Sequence, residues 1–226
     1  MFRNKSKKQW GKIASAFVLA TVITGSMFNN APTAEELTNP FTDVSTNNSH
    51  YNAIVTLYNE DIVTGITATE FKPNQEATRG DAALYLANAL QLDTQNVQNP
   101  GFKDVPSSSK YYGAIAALFE NNIISGYGDT FKPNNTLTRS QMAKMLTLGF
   151  DLDIATTTNS KFVDVNKLTD TNTKRYIQTL VDYQITVGTT ETTFSPNGKL
   201  KRGQLASFLF NAIEATEPAL EIISVE

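Results

Sequence analysis

Apolar residues recur along this chain at helical spacing. Tyr51, Ile54, Val55 and Tyr58 stand at i, i+3, i+4 and i+7, and Tyr112, Ile115, Ala116 and Phe119 repeat the pattern. Each set predicts an amphipathic helix with one face to bury. Further on, Leu84, Leu86 and Leu90, then Met142, Met145 and Leu146, then Leu205, Phe208 and Leu209 supply apolar faces for a second set of helices. Met and aromatic residues at such spacing read as core rather than as the lining of a cofactor site. Gly65, Gly126 and Gly188 are expected to close the first helical segment, where a residue free to take positive φ lets the chain turn back. Thr78-Arg79-Gly80-Asp81 and Thr138-Arg139-Ser140-Gln141 have the form of a capping box, which marks two helix starts. Lys201-Arg202-Gly203-Gln204 keeps the arginine and glutamine without the capping hydroxyl, worth about 1 kcal/mol, so the third start is expected to be less firm.

These landmarks belong to one unit written three times. Phe41-Thr42-Asp43-Val44, Phe102-Lys103-Asp104-Val105 and Phe162-Val163-Asp164-Val165 are followed by Phe71-Lys72-Pro73-Asn74, Phe131-Lys132-Pro133-Asn134 and Phe194-Ser195-Pro196-Asn197. Arg79, Arg139 and Arg202 each come eight residues after the second phenylalanine. The units cover residues 35–98, 99–158 and 159–214, with a tail or linker at 215–226. The polar connectors at 91–100 and 151–160 are too short to make the units independent. One helix pair has little core of its own, so the expected fold is all-α, three pairs packed as a pseudo-threefold bundle.

Composition narrows the chemistry. The 226 residues include no cysteine and one histidine, which removes disulfides, thiolate chemistry, Cys/His metal sites and Ser-His nucleophile pairs. No cofactor is expected. Arg3, Lys5, Lys7, Lys8 and Lys12 precede an apolar run at 13–23, followed by small residues at Ser26, Ala31 and Ala34. Residues 1–34 therefore read as a secretory signal peptide with its cleavage point between Ser26 and Ala34. Its removal takes five basic and no acidic residues, so the net charge of −3 becomes −8. An acidic exported protein is a poor general partner for nucleic acid or an anionic membrane.

The repeated arginine is the candidate functional feature. A helix N-terminus already carries partial positive charge, so a cation in its first turn is locally unfavourable. An anion bound there resolves the conflict, gripped by amides, dipole and guanidinium together. The competing reading has each arginine paired with Asp43, Asp104 or Asp164 of a neighbouring unit, and dipole arguments do not separate the two.

Three units with Phe-x-Asp-Val, Phe-x-Pro-Asn and a Thr-Arg helix start resemble a tandem of S-layer homology domains from Phe41 to Glu214. The resemblance implies a non-enzymatic, noncovalent anchor of a secreted protein to the bacterial cell wall or S-layer. Its partner would be secondary cell-wall polysaccharide in grooves between repeats, commonly through the carboxylate of a pyruvate ketal, with S-layer self-assembly as a further association. It implies ligand-binding roles for Thr78, Arg79 and Asp81, for Thr138, Arg139 and Gln141, and for Arg202 and Gln204. The family's usual residues after the arginine are alanine and glutamate; here they are Gly-Asp, Ser-Gln and Gly-Gln, and Lys201 departs further in replacing threonine. Tyr127 is a lesser candidate for stacking on a sugar. An extracellular protein-protein or structural module with structural arginines is the alternative. A glycoside hydrolase is disfavoured because catalytic carboxylate pairs are rarely triplicated, and Asp43, Asp104 and Asp164 read instead as caps. His50, without counterpart in the other units, reads as a half-exposed surface residue, and Asp151-Leu152-Asp153 is too sparse for a calcium loop.

Overall fold

A computed structural model describes residues 37–216; the expected leader and the residues after 216 lie outside them. Seven helices occur among the described residues: α1 Tyr51–Asn59, α2 Arg79–Ala89, α3 Tyr112–Glu120, α4 Arg139–Gly149, α5 Val163–Asn166, α6 Thr171–Asp182 and α7 Arg202–Thr216. The described residues hold no strand, only isolated bridges, and no helix long and apolar enough to cross a membrane. The protein is all-α.

Helix α5 was not anticipated. It is a single turn inside the third Phe-x-Asp-Val motif, and the first helix proper of that repeat is α6. Asp170 caps α6, its carboxylate accepting from the amides of Asn172 and Thr173. The same carboxylate accepts from the Thr173 hydroxyl.

Each second helix finds its helical partner in the next repeat. Helix α2 packs on α3, α4 on α6, and α7 returns to α1. At the centre, the residues just before the second helices bond in a closed ring. Leu137 N donates to Ala77 O at 2.9 Å, Leu200 N to Leu137 O at 2.9 Å and Ala77 N to Leu200 O at 2.8 Å. Their side chains are fully buried, as are Phe71, Phe131 and Phe194, so one core is shared by all three repeats.

The expected glycine turns are corrected. Helices α1, α3 and α6 end before the glycines, and the αL residues after them are Asp61, Asn122 and Gln184. Of Gly65, Gly126 and Gly188 only Gly188 has positive φ, at 99°. What all three share is crowding. A Cβ on Gly126 would lie 2.2 Å from the Phe102 ring and 2.6 Å from Thr130 O. On Gly65 it would lie 2.7 Å from Phe41, and on Gly188 2.4 Å from Phe162. Glycine stands there because the ring of the Phe-x-Asp-Val motif lies against the backbone. Those rings pack in turn on the Phe-x-Pro-Asn rings, with centroids 5.4 to 5.8 Å apart.

Candidate functional site

The motif aspartates cap distant loops. Asp104 accepts from Phe131 N at 2.8 Å and Lys132 N at 2.7 Å, one carboxylate oxygen for each amide. Asp43 does the same for Phe71 and Lys72, and Asp164 for Phe194 and Ser195. The middle residue of each loop, Lys72, Lys132 or Ser195, has φ between 57° and 60°. A left-handed residue other than glycine costs roughly 1 kcal/mol or more, and two charge-assisted hydrogen bonds per loop offset it.

A loop so held offers its phenylalanine carbonyl to the arginine of the preceding repeat. Arg79 Nε donates to Phe131 O at 3.0 Å, Arg139 Nε to Phe194 O at 2.7 Å and Arg202 Nε to Phe71 O at 2.8 Å. The guanidinium carbons lie 4.4 to 4.7 Å from the centroids of those phenylalanine rings. Three junctions result, each built from an arginine helix and the loop of the next repeat in cyclic order.

The amides expected to face an anion are already used. Arg79 N and Gly80 N donate to Asn135 O and Pro133 O, Arg139 N and Ser140 N to Gly198 O and Pro196 O, and Arg202 N and Gly203 N to Gln75 O and Pro73 O. The capping boxes form as expected and use the third amide: Asp81 N donates to Thr78 Oγ1, and Gln141 N to Thr138 Oγ1. At the third start Lys201 N donates to Gln204 Oε1, and α7 begins at the corresponding position, Arg202. The first-turn amides are therefore not free to meet an anion, which leaves the guanidinium groups as the candidate feature.

The three guanidinium groups differ. Arg202 is 1% exposed and fully engaged: Nη2 donates to Thr64 O at 2.8 Å and to the Tyr85 hydroxyl at 2.9 Å, and Nη1 lies 3.5 Å from Asp81 Oδ2. Asp81 in turn accepts from the Tyr111 hydroxyl at 2.9 Å. Its charge and burial together push the Tyr111 phenol up, burial contributing most. Arg79 and Arg139, 7% and 5% exposed, have no carboxylate within ion-pair distance among the described residues, and their terminal nitrogens take no hydrogen bond there. Burial lowers the Arg79 guanidinium from its ordinary range, partly offset by Tyr127 and Asp104. It brings Arg139 down to about 10 despite Asp164 nearby. Among the described residues no motif arginine forms an ion pair with Asp43, Asp104 or Asp164, and the one carboxylate ion-paired to a motif arginine there is Asp81.

The glycines after two of the arginines have a steric reason. A Cβ on Gly80 would lie 2.6 Å from the Tyr111 ring, and one on Gly203 2.5 Å from the His50 ring. The two rings hold matching places at the first helices of repeats two and one. His50 Nδ1 is 2.8 Å from Ser207 Oγ of α7, so the half-buried histidine is an interface residue between α1 and α7 as well as a surface one. Burial, then the charge of Lys201, lowers its pKa below the ordinary value. Tyr127 is 47% exposed, with Arg79 4.9 Å and Lys132 4.9 Å from its ring centroid, and its hydroxyl accepts from Gln141 Nε2 at 2.9 Å. Sequence reasoning missed Tyr85, Tyr111 and Lys132. Their helix-face and loop positions carry no local mark of contact with another repeat.

The S-layer homology domain model matches residues 40–83, 101–143 and 161–206, and the chain belongs to that family. It is 29% identical to the surface-layer 125 kDa protein of Lysinibacillus sphaericus over 99% of this chain and 18% of that protein. It is 32% identical to an S-layer protein of Bacillus thuringiensis subsp. finitimus over 75% of this chain and 21% of that protein. A cellulosome-anchoring protein of Acetivibrio thermocellus is 28% identical over 64% of this chain and 33% of its own length. The chain thus spans about a fifth of the S-layer proteins it matches.

Proposed function

We propose that the chain is a non-catalytic anchor that holds an exported protein on a bacterial cell wall by binding an anionic wall polysaccharide at the junctions between its repeats. The observation that carries this reading is the pair of buried cations, Arg79 and Arg139, that no carboxylate among the described residues meets at ion-pair distance. A desolvated charge without a directly paired counter-ion is costly, and a ligand carboxylate meeting the free edge of the guanidinium reduces that cost. A pyruvate ketal on a sugar supplies a small, fixed carboxylate of the right kind. On this reading Arg79 and Arg139 contact the ligand, with Gln141 beside the first site. Thr78 and Thr138 hold the helix starts that aim the arginines, while Arg202, Asp81 and Gln204 close the third junction.

The structural-module reading fits the third junction, where Arg202 is sealed against Asp81. A co-sedimentation assay with purified wall sacculi separates the two readings. The chain should pellet with intact sacculi and stay soluble with sacculi stripped of polysaccharide by hydrofluoric acid. Because two sites on one polymer act together, replacing Arg79 and Arg139 jointly by alanine should reduce retention by roughly a hundredfold or more, and either alone by much less. Retention unaffected by the double change, or lost only together with the fold, would favour structural arginines.

A further inference from the structure

Junctions one and two present the same arginine but different loops. At the first, Tyr127 and Lys132 flank Arg79; their counterparts at the second are Thr189 and Ser195. The Thr189 hydroxyl lies 3.0 Å from the Thr193 and Ser195 hydroxyls, so that loop satisfies its own hydroxyls, and the one charge it brings is the exposed carboxylate of Glu191. The charges follow. Junction one has Arg79 and Lys132 against Asp104, which leaves one positive charge over; junction two has Arg139 against Asp164, which leaves none, and its loop adds the negative Glu191. The other nearby acid of the first loop, Asp129, is paired with Lys103 at 2.6 Å. Lys132 is exposed and joins no carboxylate ion pair among the described residues. The Tyr127 ring fixes its place by drawing two cations to it, and nearly half of the residue stays open to solvent.

We propose that Tyr127 and Lys132 are specificity determinants that make the first junction the tighter of the two open sites, taking a carboxylate-bearing saccharide whose acid group is shared by Arg79 and Lys132 and whose ring lies against Tyr127. This rests on the anchoring function proposed above. At the second junction the saccharide meets one guanidinium and a row of hydroxyls, so binding there is weaker and less sensitive to salt.

Titration calorimetry of the full chain with a methyl glycoside carrying a pyruvate ketal tests this, with Arg139→Ala isolating the first site and Arg79→Ala the second. At about 20 mM salt the first site should bind roughly three- to tenfold more tightly, and the gap should narrow at about 150 mM. Tyr127→Thr with Lys132→Ser in the Arg139→Ala chain should remove the advantage. Ser195→Lys in the Arg79→Ala chain should raise the second site toward the first; it replaces an already left-handed surface residue and decides the matter should the paired change fail to fold. Equal affinities at the two sites, or an advantage that survives the paired change, would overturn the inference while leaving the anchor intact. Absence of arginine-dependent binding at either site would sink the anchoring function and this inference with it.

Discussion

The smallest unit with a function in this fold is a carboxylate and the loop it holds. Asp104 accepts two successive amides, and the second belongs to Lys132, whose φ of 60° is unfavourable without support. The loop then presents Phe131 O to Arg79 Nε at 3.0 Å. Asp104→Ala leaves both amides unpaired and the left-handed residue unsupported, which should cost about 2–4 kcal/mol in urea unfolding. Asp129→Ala, which removes only an exposed ion pair with Lys103, should leave the midpoint unmoved. Sequence alone marked Asp104 as a cap because it stands before a turn. It did not show which amides are capped, since these lie 27 and 28 residues further on and only folding brings them close.

At the scale of the helix, starts were legible and ends were not, for a physical reason. A capping box is closed by residues three apart, so Thr78 with Asp81 and Thr138 with Gln141 announce α2 and α4 from local sequence. The ends of α1, α3 and α6 depend on Asp61, Asn122 and Gln184 taking αL, while the glycines that suggest a turn answer to a phenylalanine ring from earlier in the repeat. The packing of helices across repeats was equally hidden, because an apolar stripe states that a face is buried without naming its partner. The α1–α7 contact shows what such a partner does. His50 lies at the start of α1 against Gly203 and Ser207 of α7, and burial followed by Lys201 lowers its pKa. The unfolded chain therefore takes up the proton first as pH falls, and folded stability is lost below the ordinary histidine value of about 6.5. Unfolding free energy measured from pH 7.5 to 5 should show this loss, and His50→Gln should flatten it while the slope from carboxylates at lower pH persists.

Across the whole molecule the three junctions close a ring, and the last is sealed differently from the first two. It joins repeat three to repeat one, so it holds together segments that the chain itself leaves far apart, and Arg202 hydrogen-bonds Thr64, Phe71 and Tyr85 across it. Asp81 supplies the counter-ion and also accepts from Tyr111, so one carboxylate of repeat one touches repeats two and three. Replacing Arg202 by methionine removes the cation paired with buried Asp81 and leaves Phe71 O without its partner, while Thr64 O keeps the Tyr85 hydroxyl; this should cost about 3–5 kcal/mol. Arg79→Met and Arg139→Met remove cations that no carboxylate among the described residues meets at ion-pair distance, so they give up desolvation cost along with their carbonyl bond and should cost well under half as much. Removing both members of the pair, with Arg202→Met and Asp81→Leu, should recover part of the loss, because no unpaired charge remains buried. Hydrogen exchange adds the spatial test: in Arg202→Met the amides of α1 and α7 should lose protection before those of α3 and α4. Equal destabilisation by all three arginine changes, with uniform loss of protection, would mean that the junctions are energetically alike. The distinction between two open sites and one internal lock would then have no basis.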